Sequence, residues 1–455
     1  MRQPPKSSDK LEEIQRKTFD YFIHEVNNLN GLVADTIEKG APASIATVGL
    51  ALSAYPVGVE RGFVTRSEAI ERTLATLRFF RNSHQGTEVD ATGYHGFYYH
   101  FLDMRTGKRA RKCELSTVDT GMLLAGMLVA AAYFSNDTTA EREIRALAEE
   151  LYALADWRWA LNGGVAITLG WNPESGFLPY RWHGYDEALF LYLLALGAPN
   201  FALSQESYAA WCSTYTWRKI YDYEFIYSGP LFTHQISHLW VDFRGIQDDY
   251  MRTKSIDYFE NSRRATYAQR QYAIDNPNGF KGYGENCWGI TASLGPGPLT
   301  RKIDGKNRQF FGYVGRGIPD GPDDGTLAPW GVIASLPFAP EIVLPAIDHF
   351  DTLNLRVGNT YGFKSTFNAT FPGATAKSPY WHSPWHCGLN QGPIVLMIEN
   401  FRSGLLWRLM RQCPALVRGL HRAGFASGWL GGDPVDPIIQ PLPVTVAQYR
   451  DVKAR

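Results

Sequence analysis

Two kinds of helical pattern alternate along this chain. One kind is apolar on every face. Ala188 to Leu196 carries no charge, nor does Thr120 to Tyr133, and Ile394 to Ile398 is wholly apolar. A helix with no polar side belongs inside a protein, and these runs are too short to cross a membrane. The other kind is amphipathic. Over 10–28, Leu11, Ile14, Phe19, Phe22 and Ile23 fall near one face, and Ala140 to Leu154 is polar on one side only. Thr65-Arg-Ser-Glu68 has the pattern of a capping box, opening a helix that runs to about Asn82. Further helices are predicted over 231–253, 256–273, 334–350, 388–412 and 415–423. Residues 43–56 are small and apolar, ending at Pro56. Gly93 to Asp103 alternates poorly and reads as a short strand or loop that brings Tyr94, His95 and His100 together. Residues 156–182 are rich in Trp and Gly, which predicts loops and a short hairpin. Residues 277–333 hold many Gly and Pro and form the longest irregular region, a kind of insertion that tends to carry function.

Roughly a dozen helices, alternately amphipathic and apolar all round, predict an all-α (α/α)6 barrel with little sheet. Inner helices are buried on both sides, and their mouths line a central cleft. The apolar helices open with polar clusters at 114, 184 and 388, where such mouths would lie. No internal repeat is visible, which disfavours a solenoid. Residues 1–9 are expected to form a disordered lead, 10–431 one domain, and 432–455, with four prolines, an extended surface tail.

Composition narrows the function. Lys+Arg and Asp+Glu both number 45 in 455 residues, so the net charge is zero. That excludes bulk electrostatic binding to nucleic acid or an anionic membrane. Aromatic residues make up 14%, with 13 Trp and 24 Tyr; such rings stack on sugar faces or fill a core. The five cysteines lie far apart without a CxxC pair, which reads as free thiols. The first residues lack the apolar segment of a signal peptide. The chain as given is therefore expected to be cytoplasmic, or periplasmic if a leader was removed. No phosphate-binding loop, dinucleotide fingerprint or nucleophile elbow occurs.

The chemistry lies at the helix mouths. Asp186 and Glu187 open the most apolar helix, among Trp182, His183 and Tyr185. They read either as caps that complement the helix dipole or as carboxyls in an aromatic cleft. Glu114 and Asp119 stand at a second mouth, where Ser116-x-x-Asp119 is also an ordinary cap pattern. His234 and His238 share one helical turn, as do His382 and His386. That spacing suits metal ligation, but neither pair has a third ligand nearby, and no metal or cofactor is expected.

Several motifs, in this order, resemble the bacterial glucoamylase-like family, which includes the β-1,2-glucanases of glycoside hydrolase family 144. They are Phe19-Asp-Tyr-Phe, Ala43-Ser-Ile-Ala46, Tyr55-Pro-Val-Gly-Val-Glu60, Glu114-Leu-Ser-Thr-Val-Asp119, Gly184-Tyr-Asp-Glu-Ala188, His234-Gln-Ile-Ser-His238, Asp257-Tyr-Phe-Glu-Asn-Ser262 and Gly282-Tyr-Gly-Glu-Asn286. The resemblance spans about 10–431 and implies an (α/α)6 barrel acting on an oligo- or polysaccharide, most directly β-1,2-glucan. It implies catalysis by carboxylates, with Glu187 as general acid and Asp119 and Glu114 as the other candidates. It also implies sugar contacts from Asp186, Tyr185, Trp182, His95, His234, His238, Glu285, Trp288, Asn390, Gln391 and Trp385. Three positions depart from the family pattern, which carries Asp where this chain has Leu294, Ser365 and Asn390. The departures keep two other readings open, a transglycosylase or hydrolase of another linkage and a catalytically silent glycan-binding protein.

Overall fold

The computed structural model describes residues 7–375 and 378–431. Among the described residues, four helices of ten residues or more have almost every residue buried: Ile45–Glu60, Thr117–Tyr133, Ala188–Gly197 and Gly388–Arg402. Around them lie helices with one polar face, among them Arg66–Asn82, Thr139–Leu154, Tyr258–Asp275 and Pro340–Thr352. The fold is predominantly helical around one continuous apolar core. No helix among the described residues is long and apolar enough to cross a membrane.

The buried helices pack closely because glycines let their backbones touch. A Cβ on Gly49 would collide with the Met122 carbonyl, and one on Gly126 with the Gly49 carbonyl. The same device joins Ala188–Gly197 to Pro414–Arg422, where a Cβ on Gly197 would strike the Ala415 carbonyl and one on Gly419 the Leu193 carbonyl.

The N-termini of the four buried helices meet at one end of the molecule. The Ile45 amide donates to the His100 carbonyl (3.2 Å), the His100 amide to the Glu114 carbonyl (3.0 Å), and the Gly388 amide to the Asp35 carbonyl (2.8 Å). Ser44 and Ser116 accept bonds from Thr47 and Asp119 backbone amides as helix caps. Asp186 does the same for the third helix, accepting from the Ala188 amide at 2.9 Å. The Thr65–Glu68 capping box forms as the sequence predicts.

Strand content is higher than the helical pattern suggests. Six small sheets occur among the described residues. A five-stranded antiparallel sheet orders Gly93–Tyr94, Phe97–Tyr99, Leu115–Ser116, Gly170–Asn172 and Gly176–Phe177, and it leads directly into the Thr117 helix. The 277–333 region is not simply irregular. It contains Ala292–Leu294 paired with Tyr313–Gly315 and Leu299–Ile303 paired with Lys306–Phe310.

Other sequence expectations shift. Ser7–Phe19 is helical, so the predicted lead is shorter than nine residues, and the predicted tail over 432–455 lies outside the described residues. The helix from Ile45 continues through Pro56 to Glu60. The single helix predicted over 231–253 is instead two 3-10 turns, Leu231–His234 and Ile236–Leu239, followed by the helix Asp249–Lys254. Tertiary bonds outweigh the local pattern there. Gln235 donates to the Gly331 carbonyl at 2.6 Å, Ser237 to the Glu187 carbonyl at 3.3 Å, and Gly245 turns the chain with φ +74°.

Gly126→Ala should force the Ile45–Glu60 and Thr117–Tyr133 helices apart. Overpacking of this kind costs about 1–3 kcal/mol, and chemical denaturation should register a loss in that range. An unchanged midpoint would show that the helix pair yields without cost.

Candidate active site

The convergent helix mouths bring Asp35, His100, Glu114, Asp119, Asp186 and Glu187 to one end of the core. Glu114 leads into the strand Leu115–Ser116, and the helix beginning at Thr117 puts Asp119 in its first turn. His100 follows the neighbouring strand Phe97–Tyr99. Its Nδ1 lies 2.9 Å from Glu114 Oε1 and its Nε2 lies 3.7 Å from Asp119 Oδ2. The Ser116 hydroxyl donates to the same Asp119 Oδ2. Burial works against a charge on the ring, but Asp119, Glu114 and Asp35 outweigh it and raise the His100 pKa to about 9. Burial likewise penalises the Glu114 carboxylate, yet the His100 hydrogen bond and charge hold it below its usual range.

Glu187 is the last residue before the Ala188–Gly197 helix, and Ser237 fastens this turn by accepting from the Phe190 amide and donating to the Glu187 carbonyl. Desolvation raises the Glu187 pKa to about 7, a bond to its own backbone opposes the rise, and Asp119 adds to it. Asp186 is also pushed well up, by burial and then by Glu187. Two groups of acids therefore share one cleft, and only one of them has a counter-charge. Separated proton affinities of this kind are what general acid–base chemistry requires.

The remaining candidates scatter. Trp182 lies at the cleft margin and donates to Thr117 Oγ1 at 3.1 Å. Tyr185 turns inward, stacked on Tyr258 and close to His234. His234 and His238 are sealed in the core, where the first meets the Ser228 carbonyl (3.1 Å) and the second Ser262 Oγ (2.9 Å). Burial lowers their pKa values to about 4 and about 3. Trp288 is fully buried. Glu285 is exposed and paired with Arg270. His95 stacks on Trp159 (4.6 Å between centroids) and faces Asp156, separated from His100 by the turn into the Phe97–Tyr99 strand. Asn390 and Gln391 lie in the first turn of the Gly388–Arg402 helix, both buried, and Gln391 Oε1 has no hydrogen-bond partner. Trp385 is half-buried in the loop leading to that helix. Of the departing positions, Ser365 lies beside the Cys387 thiol. The Leu294 carbonyl accepts from Thr366 (2.7 Å), and Leu294 pairs with Tyr313.

Asp35 and Tyr313 escaped the sequence reading, and His100 entered it only as a neighbour of Tyr94 and His95, without a place among the site residues. Asp35 follows the Asn-Gly loop with no flanking motif. Its backbone holds the Gly388 amide, and burial raises its pKa. Tyr313 stands 69% exposed on its strand. Glu187, Cys387, Asp119 and Asp35 lie near its phenol, and their negative charges disfavour its ionised form. Among the described residues, His100, Glu114 and Asp119 are the one group whose donor atoms cluster as a metal site would, within 4.8 Å.

A predominantly helical fold with carboxyls gathered at convergent helix mouths defines a class with known members. The family model "Glycoamylase", described as "Putative glucoamylase", matches residues 179–414. A glucoamylase-type crystal structure from Bacteroides uniformis is 31% identical, covers 94% of this chain and 100% of its own, and superposes with a TM-score of 0.83. The chain belongs to this family. The endo-β-1,2-glucanase of Chitinophaga pinensis, solved with sophorotriose and glucose, is 26% identical with a TM-score of 0.79, covering 94% of this chain and 100% of its own. The exo β-1,2-glucooligosaccharide sophorohydrolase (non-reducing end) of Parabacteroides distasonis is 28% identical over 449 residues. That match covers 90% of this chain, which spans only 57% of the relative's length.

The buried histidines give a stability test. Both must lose a proton to fold, because their folded pKa values lie below the unfolded value. Their contribution is complete above about 6.5 and is lost as pH falls toward about 4 for His234 and about 3 for His238. Between pH 7 and 5 each should cost on the order of 1–2 kcal/mol. The urea midpoint of His238→Asn should therefore fall less steeply over that interval than that of the native protein. Parallel slopes would mean that the ring is not held neutral.

Proposed function

We propose that this chain is a glycoside hydrolase acting on β-1,2-glucan or its oligosaccharides, built as a single (α/α)6 toroidal domain over residues 10–431. Family membership supports this, as do two relatives named for β-1,2-glucan substrates. The observation that carries it is Glu187, a carboxyl whose pKa is raised to about 7 in a cleft where Glu114 is held low.

Glu187 is the general acid. Near neutral pH it keeps a proton to give to the glycosidic oxygen as that oxygen leaves the anomeric carbon. Water adds to the carbon and yields a proton to a carboxylate, with Asp119 in that role and Glu114 behind it. One water is consumed, and solvent returns the two carboxyls to their starting states. Asp186 fixes the turn through the Ala188 amide. Trp182, Tyr313 and Trp385 offer ring faces to sugars. The reaction draws its protons from carboxyls and assigns no step to a metal.

The second reading is a transglycosylase, and Asn390 favours it. At the mouth of the Gly388–Arg402 helix this residue presents an amide, which cannot take a proton from water near neutral pH. A sugar acceptor can then compete with water. Asn390→Asp should raise hydrolysis of β-1,2-glucan at the expense of transfer, read by product analysis with sophorose as acceptor. Strong native hydrolysis with no gain in the variant would discount this position.

Reducing-sugar release should appear with linear or cyclic β-1,2-glucan and not with β-1,3- or β-1,6-glucan. Glu187→Gln should lower turnover by about 10²–10⁴-fold while the protein stays folded. Native kcat/KM should decline as pH rises through about 7, because the acid is protonated only below its pKa. A folded Glu187→Gln variant with near-native turnover would remove Glu187 from the reaction.

A further inference from the structure

The His100 ring differs from His234 and His238 in what surrounds it. The core pair meets a carbonyl and a hydroxyl and is fully buried. His100 has a side chain 30% exposed, lies against Phe101, and holds a carboxylate at each nitrogen. Its backbone is tied into two walls of the cleft, with its carbonyl accepting from Ile45 and its amide donating to Glu114. The ring is thus fixed in place between Glu114 and Asp119. Asp119 Oδ2 receives Ser116 on one side and faces His100 on the other, while Oδ1 takes no hydrogen bond from a described residue.

We propose that His100 is a positioning residue, a fixed imidazolium that keeps Asp119 and Glu114 as the proton-accepting side of the cleft and leaves Glu187 as its proton-donating side. The proposal rests on the hydrolase reading above. An imidazolium beside carboxylates favours their ionised form. Without it, Glu114, Asp119 and Asp35 would face one another with only the more distant Arg109 and Arg111 as cations, since Arg109 acts on Glu114 and Arg111 on Asp35. Tyr313 and Glu187 also lie near Asp119 and bring no positive charge. The mutual repulsion of the carboxylates would then favour taking up a proton from solvent, and the cleft would lose its acceptor. At the same time Nε2 faces Oδ2 of Asp119, which also accepts from Ser116, and this leaves Oδ1 to take the proton of the reacting water.

The ring can be read without any enzyme assay. In histidine-labelled protein the His100 NMR signal should titrate near pH 9. In Asp119→Asn or Glu114→Gln it should return toward about 6.5. A ring that titrates near 6.5 in the native protein would overturn the proposal, whatever the activity. In kinetics, His100→Asn should move the acidic limb of kcat/KM upward by about one pH unit, with KM little changed. His100→Lys, which restores the charge, should move the limb back. A loss in His100→Asn that is equal at every pH and not rescued by Lys would make the role steric and also overturn the proposal. If the native protein cleaves no β-1,2-glucan while His100 titrates near 9, the hydrolase reading fails and the charge assignment stands.

Discussion

Four helices of this protein have no polar face to give to water. They can be buried only by packing on every side, and glycines at Gly49, Gly126, Gly197 and Gly419 let backbones come into contact to do it. A helix buried along its length still has polar ends, because its first amides lack partners within the helix. Here those ends share one region, so the donors and the positive ends of the dipoles are gathered where acidic side chains can meet them. Ser44, Ser116 and Asp186 satisfy individual amides. The cleft is a consequence of this packing, since the apolar flanks leave nowhere else for so many polar groups.

Desolvation acts on all of the groups there, and its outcome depends on the neighbour. Glu187 and Asp186 have no cation at hand, and burial drives both upward. Glu114 is penalised in the same way but has His100 at 2.9 Å and ends below its usual range. His234 and His238 have no carboxylate bonded to them and stay neutral, while His100 has two close by and takes a proton. One physical term, modified by single contacts, separates donors from acceptors over a short distance.

The non-helical rim is held by a different means. Arg316 and Asp324 form an ion pair buried on both sides. Arg316 also donates to carbonyls of Ser293, Phe311 and Gly312, and Asp324 accepts from the Phe311 and Thr326 amides. Removing one partner of such a pair leaves an uncompensated charge, which is costly. The arrangement fixes the segment that carries Tyr313 over the acids. It also explains why a Gly- and Pro-rich stretch holds a defined shape: its backbone groups are satisfied by short strand pairs and by these side chains rather than by a helix.

The sequence by itself placed most of the long helices and the polar residues at their mouths, but not the 3-10 turns over 231–239. All-round apolarity, a capping box and polar clusters at 114, 184 and 388 are local patterns; they drew notice to Glu187, Asp186, Glu114 and Asp119 but left each open between a helix cap and a site residue, and the family resemblance supplied the site reading. The sequence could not mark Asp35 or Tyr313, and it noted His100 only beside Tyr94 and His95; all three come from short strands and loops with no periodicity of their own. Nor could it separate His234 and His238, which it grouped with the sugar contacts, from a histidine that carries charge. The tertiary structure decided those points. The charge of a histidine or the proton affinity of a carboxyl depends on which groups lie within a few ångströms, and here those groups come from residues far apart in the chain.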